Sequence, residues 1–336
     1  MAAEYVGVDL HRRRSVIVRL DPAGEVISEV RIANDPMVLA AEIGKAGSEA
    51  RVVLEATYGW YWAVDLIQAM GIDVHLAHPL GLNWGNRRRK DDRIDARDLA
   101  DLLRLGRLPE SWIAPPATRE PRELVRYRSK LVSQRTSCKA QVHSVLAKQG
   151  VAVAMNDLFG VAGNLLLDQL QLGDGYRLRI ESLRSLIATL DREVGRFDRQ
   201  IHRRLAGHPG YEAIRQIPGV GRILAAVFVA EIGDVTRFER PQQVSSWGGL
   251  TPRHRESDTT VVKGRITKQG SRLVRWAAVE AAMRARGDHL YAADFHRIAE
   301  RRGRKVARVA VARRILTLVF YGLRDHHIRR LEQQVA

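Results

Sequence analysis

Hydrophobic and polar positions along the first hundred residues predict strands and helices in turn. A turn at Asp21–Gly24 separates the second and third strand-like runs. The predicted strands are Tyr5–Leu10, Ser15–Leu20, Glu25–Ile32, Arg51–Leu54 and Asp73–Ala77, and the predicted helices lie near Pro36–Lys45, Trp60–Met70 and Asp91–Leu105. The resulting order, βββαβαβα, predicts an α/β domain with a mixed sheet and flanking helices.

Beyond the proline-containing segment Ile113–Glu123, the pattern becomes wholly helical. Apolar residues run close to heptad spacing from Leu124 to Val145 and again from Ile180 to Ile201. These faces can be covered by an intramolecular hairpin or by another copy of the chain, and we favour a homo-oligomer, a dimer or a tetramer. We therefore predict three regions: an α/β domain at 1–112, a helical coiled-coil oligomerisation region at 113–207 and a mostly helical C-terminal domain at 208–330.

Two acidic residues end predicted strands in the first region. Asp9 follows the apolar run in YVGVDLH, and Glu55 follows the one in RVVLEATYG. A strand end is a solvated place where a carboxylate is common, so neither residue alone indicates a function. Because the order of elements is that of an RNase H-like nuclease fold, however, both carboxylates are candidates for an active site.

The helix at Asp91–Leu105 adds two further acids. Asp92 and Asp95 are spaced so that they continue the helix face that Leu99 and Leu102 bury, whereas Asp98 and Asp101 fall off that face. Buried carboxylates need a partner, and no Lys or Arg shares the stripe, so a bound cation is favoured. Stabilisation of the helix N-terminus by acidic residues is the alternative.

Together these four acids offer the hard oxygen ligands that two divalent ions, Mg²⁺ or Mn²⁺, take at roughly 4 Å separation for in-line attack at phosphorus. Four basic residues precede the acidic helix. We expect them to hold a phosphate backbone that the carboxylates would repel. They are Arg87, Arg88, Arg89 and Lys90.

Charge supports a polyanionic partner. The 336 residues include 55 Lys and Arg against 38 Asp and Glu, a formal net charge of +17, although ribosomal and membrane-surface proteins share such an excess. No apolar run approaches the ~18 residues that span a bilayer, so we expect a cytoplasmic protein without a membrane partner. The single cysteine, Cys138, excludes an internal disulfide and a thiolate zinc site.

The segment IPGVGRILAAVFVAEIGD, which starts at Ile217, has the pattern of a helix-hairpin-helix. Gly219 and Gly221 would let the backbone approach a phosphate, and the following helix would offer its N-terminal N–H groups. A helix start that merely contains glycines is the alternative. We favour non-specific contact with DNA.

The N-terminal region resembles the DEDD transposases of bacterial insertion sequences, whose nuclease domain is RuvC-like, in the segments YVGVDLH, LEATYGW and DDRIDARDLADLL. The resemblance implies that Asp9, Glu55, Asp92 and Asp95 are catalytic metal ligands. The third block usually has threonine before its aspartate, whereas this chain has Asp91, and the spacing to Asp95 makes Asp92 the better match.

The C-terminal region resembles the second conserved block of the same family, and the resemblance implies that Ser257 in RHRESDTT is a nucleophile. The family more often has Ser-Gly at this place, whereas here Asp258 follows. Basic residues surround the serine at intervals suited to phosphate binding. They are Arg253, Arg255, Lys263, Arg265, Lys268 and Arg272.

The family resemblance implies a recombinase that exchanges donor and target DNA through a phosphoserine intermediate, guided by a structured RNA. Two alternatives stay open: a RuvC-like nuclease that hydrolyses DNA with water, and a non-catalytic nucleic-acid-binding protein whose acids are structural.

Overall fold

The computed structural model describes residues 3–82, 91–257, 260–285 and 290–332, without the side chains of 255, 260–263 and 332. The chain divides into two compact units, Met1–Ala114 and Pro115–Ala336. Within the described residues, no helix combines the length and the apolar character needed to cross a membrane.

The first unit is built on a five-stranded mixed sheet in the order β3-β2-β1-β4-β5. The strands are β1 Tyr5–Leu10, β2 Arg14–Leu20, β3 Val26–Ala33, β4 Arg51–Glu55 and β5 Asp73–Ala77. β1, β2 and β3 form an antiparallel meander, whereas β1, β4 and β5 run parallel. The predicted α/β class with a mixed sheet is confirmed, and the sheet is consistent with an RNase H-like domain.

Helices cover both faces of this sheet. They are α1 Pro36–Gly44, α2 Trp60–Ala69, the short α3 Pro79–Leu82 and α4 Asp92–Arg104. Because side chains alternate along a strand, Val6 and Val8 of β1 pack into the core that includes residues of α1 and α2, and Gly7 faces α4. On the second face, Ala96 and Ala100 of α4 pack against apolar residues of β2.

Gly7 lets α4 lie directly on β1. A Cβ atom at this position would stand 1.8 Å from the backbone oxygen of Ala96 and 3.0 Å from the nitrogen of Ala100. Only a residue without a side chain permits this approach. The contact brings the N-terminal turn of α4 close to the end of β1, where Asp9 lies.

The second unit begins with two long helices, α5 Pro116–Lys148 and α7 Asp174–Leu205, with α6 Val161–Gln169 between them in the chain. α5 and α7 pack as an antiparallel hairpin, because Arg128 pairs with Asp198 at 2.7 Å while Arg135, two turns later, pairs with Asp191. A core that includes Val142 joins residues of these helices to α6.

This packing corrects our interpretation of the heptad-spaced residues as evidence for a partner chain. Ile180, Leu183 and Ile187 are buried within the chain, so their spacing is satisfied by the intramolecular hairpin and does not itself require a partner chain. A homo-oligomer stays a prediction without that support.

The remaining helices surround one large core that also takes in Val125 of α5 and Ile201 of α7. They are α8 Pro209–Arg215, α9 Arg222–Ile232, α10 Pro241–Trp247, α11 Arg272–Arg284, α12 Ala292–Arg302, α13 Arg304–Asp325 and α14 Arg329–Glu332, with a 3-10 turn at Val235–Arg237. Every residue of α9 from Leu224 to Ile232 is buried. Its one buried carboxylate, Glu231, accepts bonds from Arg126 at 2.7 Å and from the Ser271 hydroxyl at 3.2 Å.

The glycines before α9 differ in what they contact. Gly219 has a left-handed backbone (φ 87°), and a Cβ there would stand 2.2 Å from the oxygen of Ala281 in α11, so internal packing already requires this glycine. Gly221 precedes α9 at the surface, where a Cβ would meet open space. Only Gly221 is therefore open to an approaching phosphate, and the helix-hairpin-helix stays a prediction.

Candidate active site

Strand pairing brings the first two predicted acids to one edge of the sheet. Gly7 of β1 is level with Val53 of β4, so the parallel register leads on to Asp9 and Glu55 at the carboxyl ends of adjacent strands. Val53 packs with residues of α4, and alternation directs Glu55 to this same face. Both acidic residues are half-buried.

The acidic residues of α4 and of its N-cap have different roles. Asp91 is the N-cap, and its Oδ1 accepts the N–H of Arg93 at 3.0 Å. Asp92 is half-buried, and Asp95, one turn later, is buried. Asp101 lies further along the helix, where it binds Arg104 at 2.7 Å. Asp91 therefore serves the helix end, while Asp92 and Asp95 face the sheet.

His11 completes a cluster with two of these acids. Its Nε2 lies 3.0 Å from Asp9 Oδ2 and 3.3 Å from Asp92 Oδ1. One ligand atom from each of the three residues lies within 4.8 Å of the other two, whereas Glu55 and Asp95 are not in this closest group. His11 was not predicted from the sequence, although its two-residue offset from Asp9 at a strand end places both side chains on one side.

The surroundings of Asp9 disfavour its negative charge. Burial raises the pKa of the Asp9 carboxyl above its ordinary value, His11 opposes that rise, and the charges of Asp92 and Asp95 add to it. Several carboxylates in one partly buried place need compensation. Ligand atoms of two carboxylates and an imidazole lie within 4.8 Å of one another, so the donor set fits a divalent cation.

Basic residues that the sequence analysis did not single out lie beside this cluster. Arg12 and Arg13 form the turn between β1 and β2, Arg14 begins β2, and all three are exposed. Residues Arg87, Arg88, Arg89 and Lys90, which we predicted to hold a phosphate backbone, lie outside the described residues. The tripeptide Arg12–Arg14 is thus the described basic segment next to the acids.

The predicted nucleophile lies in the second unit. Ser257 is the exposed last residue of β6, Pro252–Ser257, and pairs with Thr260 of β7, Thr260–Ile266, in a two-stranded antiparallel ribbon. Of the basic residues predicted around it, those with described side chains are all exposed. They are Arg253, Arg265, Lys268 and Arg272. The side chains of Arg255 and Lys263 lie outside the described part of the chain.

Two family models match two separate segments of the sequence. Residues 6–149 match the DEDD transposase model of the IS110 group, and residues 211–297 match the transposase model of the IS116/IS110/IS902 family. Together they cover more than half of the chain. The protein belongs to the IS110/IS116 transposase family. It is therefore a DNA-cleaving and DNA-transferring enzyme encoded by an insertion sequence.

Curated relatives span most of this transposase. It is 25% identical over 285 residues to the transposase for insertion sequence element IS1111A of Coxiella burnetii, which covers 83% of this chain and 77% of the relative. It is 29% identical over 286 residues to the putative transposase y4qE of Sinorhizobium fredii, with 83% and 70% covered. A probable family 20 transposase of Pseudomonas aeruginosa is 25% identical over 232 residues, with 66% and 67% covered.

The two matched regions contain the predicted site residues. The first contains Asp9, Glu55, Asp92 and Asp95, and the second contains Ser257. The acids and the serine are thus carried by different units of the chain.

Proposed function

We propose that this transposase cuts DNA with divalent metal ions, Mg²⁺ or Mn²⁺, held by Asp9, Glu55, Asp92 and Asp95, with His11 beside them. The convergence of Asp9, His11 and Asp92 within 4.8 Å is the observation that carries the proposal. When bound, the metal supplies Lewis-acid polarisation of the phosphate that is cut.

The side chains around the cluster have separate tasks in this proposal. Asp9 and Asp92 provide carboxylate oxygens, and His11, in contact with both, holds them in place and offers a nitrogen ligand. The exposed tripeptide Arg12–Arg14 binds phosphates of the same strand and offsets the repulsion between DNA and the acidic residues.

We further propose that Ser257 is the nucleophile. Its Oγ forms a bond to phosphorus while the bond from phosphorus to the 3′ oxygen breaks, and the serine proton ends on that oxygen as a free 3′-hydroxyl. The phosphoserine keeps one ester bond for each one broken, so reversal with a new 3′-hydroxyl joins the strands without an external energy source. Exposed arginines such as Arg253 and Arg265 would hold the strand near the serine.

Donor and target DNA are the substrates in this proposal, and a structured guide RNA selects them. The resemblance of the sequence to RNA-guided members of the family supports the RNA, and the net charge of +17 suits both nucleic acids. We also propose a dimer or a tetramer as the active form, since two DNA partners must be held together.

A cleavage assay on a supercoiled plasmid that carries the element, with its RNA present, tests the metal-dependent function. Asp9→Asn and Asp95→Asn should each lower Mg²⁺-dependent cleavage at least ~100-fold, because each removes a proposed ligand, on the scale known for essential active-site groups. Asp101→Asn is the matched control, since Asp101 lies on the same helix but binds Arg104. Equal loss in the control, or cleavage unaffected by chelation of divalent ions, would refute the proposed function.

A further inference from the structure

A cavity of about 470 Å³ opens beside the carboxylate cluster. Its lining includes His11, which contacts both Asp9 and Asp92, so the cavity and the cluster share a wall. Its volume lies in the range of binding clefts for organic groups, roughly 300–1,000 Å³.

One wall of the cavity is held firmly in place. The side-chain amide of Asn34 donates to the backbone oxygen of His11, and its Oδ1 accepts a bond from the buried Ser15 hydroxyl at 2.6 Å. The backbone N–H of Asn34 also donates to the backbone oxygen of Arg13 at 3.1 Å. These bonds fix the turn that carries Arg12, so the arginine projects from a preorganised segment.

Another part of the lining is aromatic. Tyr58 is 89% exposed, and it is followed by Gly59, whose left-handed backbone (φ 85°) precedes the first turn of α2. Trp62, in the first turn of α2, also lines the cavity but is half-buried against the core. Packing within this unit accounts for Trp62, whereas it does not account for an almost fully exposed tyrosine.

The lining thus combines an exposed aromatic ring with a cation at the edge of a phosphate-cutting site. Arg12 is exposed, and within the described residues no carboxylate pairs with it. An aromatic ring stacks on any base, and an arginine beside it binds the adjoining phosphate. A paired base cannot present its face to a ring without leaving the duplex stack.

We propose that this cavity binds one unpaired nucleotide of the DNA strand that the acidic cluster cuts, with its base on Tyr58 and its phosphate beside Arg12. The proposal rests on the proposed function, because that function brings a DNA strand to His11 and its acidic neighbours. Tyr58 and Arg12 are then positioning residues that set which phosphate lies at the cluster. They also require the strand to be unpaired next to the cut.

Photocrosslinking of the full-length transposase tests this subsite. The probe is a single-stranded oligodeoxynucleotide with 5-iododeoxyuridine in place of thymidine, irradiated with the protein in Mg²⁺, and the crosslinked peptides are identified by mass spectrometry. A crosslink should map to Tyr58. Tyr58→Ala should reduce it roughly tenfold or more, the scale on which loss of one base stack weakens binding.

Tyr61→Ala is the matched control, because Tyr61 lies only three residues further along the chain, contacts Trp60 edge-on and does not line the cavity. Tyr58→Phe keeps the stacking face and should retain the crosslink. Since Tyr58 is exposed, thermal unfolding of the alanine variant should match that of the wild type. A crosslink that maps elsewhere, or one that survives Tyr58→Ala, would overturn the subsite.

Two further outcomes separate the subsite from the proposed function. Stronger crosslinking of a matched RNA that carries 5-iodouridine would overturn the assignment to DNA. Cleavage that depends on Asp9 and Asp95 without any crosslink at Tyr58 would leave the function standing and refute the subsite alone. A Tyr58 crosslink without acid-dependent cleavage would refute the function, and with it the link to the strand being cut.

Discussion

Asp9 is a carboxylate in surroundings that disfavour its charge. It is partly buried at the end of β1, lies close to two other aspartates and is hydrogen-bonded to His11. A site that brings like charges together without a cation lowers the stability of the folded state, and a bound cation restores it. Such tension is typical of residues kept for chemistry rather than for folding.

The pH dependence of stability should reveal this unfavourable charge on Asp9. The Asp9 pKa is raised in the folded state, so the folded protein holds the Asp9 proton more tightly than the unfolded chain does. Its contribution therefore favours the fold at low pH, and it is lost as the pH rises from the unfolded value near 3.8 through the higher folded value.

In a chelating buffer, Asp9→Asn should accordingly raise the melting temperature at neutral pH relative to the wild type, with little gain at the acidic end. Differential scanning calorimetry across this pH range measures the effect, and Asp101→Asn, whose carboxylate is ion-paired with Arg104, should show no such gain. A wild type more stable than Asp9→Asn at neutral pH without metal would contradict the account of Asp9.

Among the individual site residues, those that belong to a repeating pattern could be predicted from the sequence, and those outside such a pattern could not. Asp92 and Asp95 are recognisable because they share a helical face with Leu99. His11 and Tyr58 have no comparable spacing, since each belongs to a segment between regular elements. Their place beside the acidic residues depends on which strands pair in the sheet.

The packing of α4 on β1 is the contact between elements on which the site depends. Gly7 permits it, since a Cβ would overlap the backbone of α4 at Ala96. The same helix carries Asp92 and Asp95, so the spacing between β1 and α4 sets the distance from Asp9 to those acids. Because glycine has no side chain, Gly7 affects both how α4 packs on the sheet and how close its acidic residues lie to Asp9.

Gly7→Ala should therefore destabilise the first unit by about 1–3 kcal/mol or more, as overpacking does, and should weaken metal binding as α4 moves outward. Gly44→Ala is the control, because a Cβ there would meet only Met70, at an ordinary 3.9 Å. Chemical denaturation and a metal titration measure the two effects. Unchanged metal affinity in a destabilised Gly7→Ala protein would show that the spacing does not govern the site.

Elements of the first unit were predictable because each strand and helix has its own period. The five strands and α1, α2 and α4 lie within a few residues of their predicted bounds. Heptads in the second unit were equally clear, yet they cannot distinguish a partner helix in the same chain from one in another copy. Ion pairs such as Arg128–Asp198 show the intramolecular choice, and only the three-dimensional structure reveals them.

Considered as a whole molecule, the transposase carries its acids in one unit and Ser257 in the other. The distinction between a recombinase and a hydrolytic nuclease rests on that serine, because metal-bound acids alone are also able to support attack by water. Ser257 is exposed on the β6–β7 ribbon, where a DNA strand is able to reach it.

Capture of a covalent protein–DNA adduct decides between the two chemistries. Wild-type protein should give an adduct that survives denaturing electrophoresis, whereas Ser257→Ala should give none and should still bind metal. Ser246→Ala is the control, since Ser246 is an exposed serine at a different place in the same unit. Cleavage by the wild type without an adduct, undiminished in Ser257→Ala, would favour hydrolysis by water.

The most direct test of the central claim is Mn²⁺ binding to the intact protein, followed by electron paramagnetic resonance and calorimetry. We expect Mn²⁺ to bind to the wild type and to Asp101→Asn alike. Asp9→Asn and Asp92→Asn should each weaken binding by at least roughly 10- to 100-fold, the loss seen even for outer-shell partners of metal ligands. Wild-type affinity in both variants would show that the acids at the end of β1 and the start of α4 do not form a metal site.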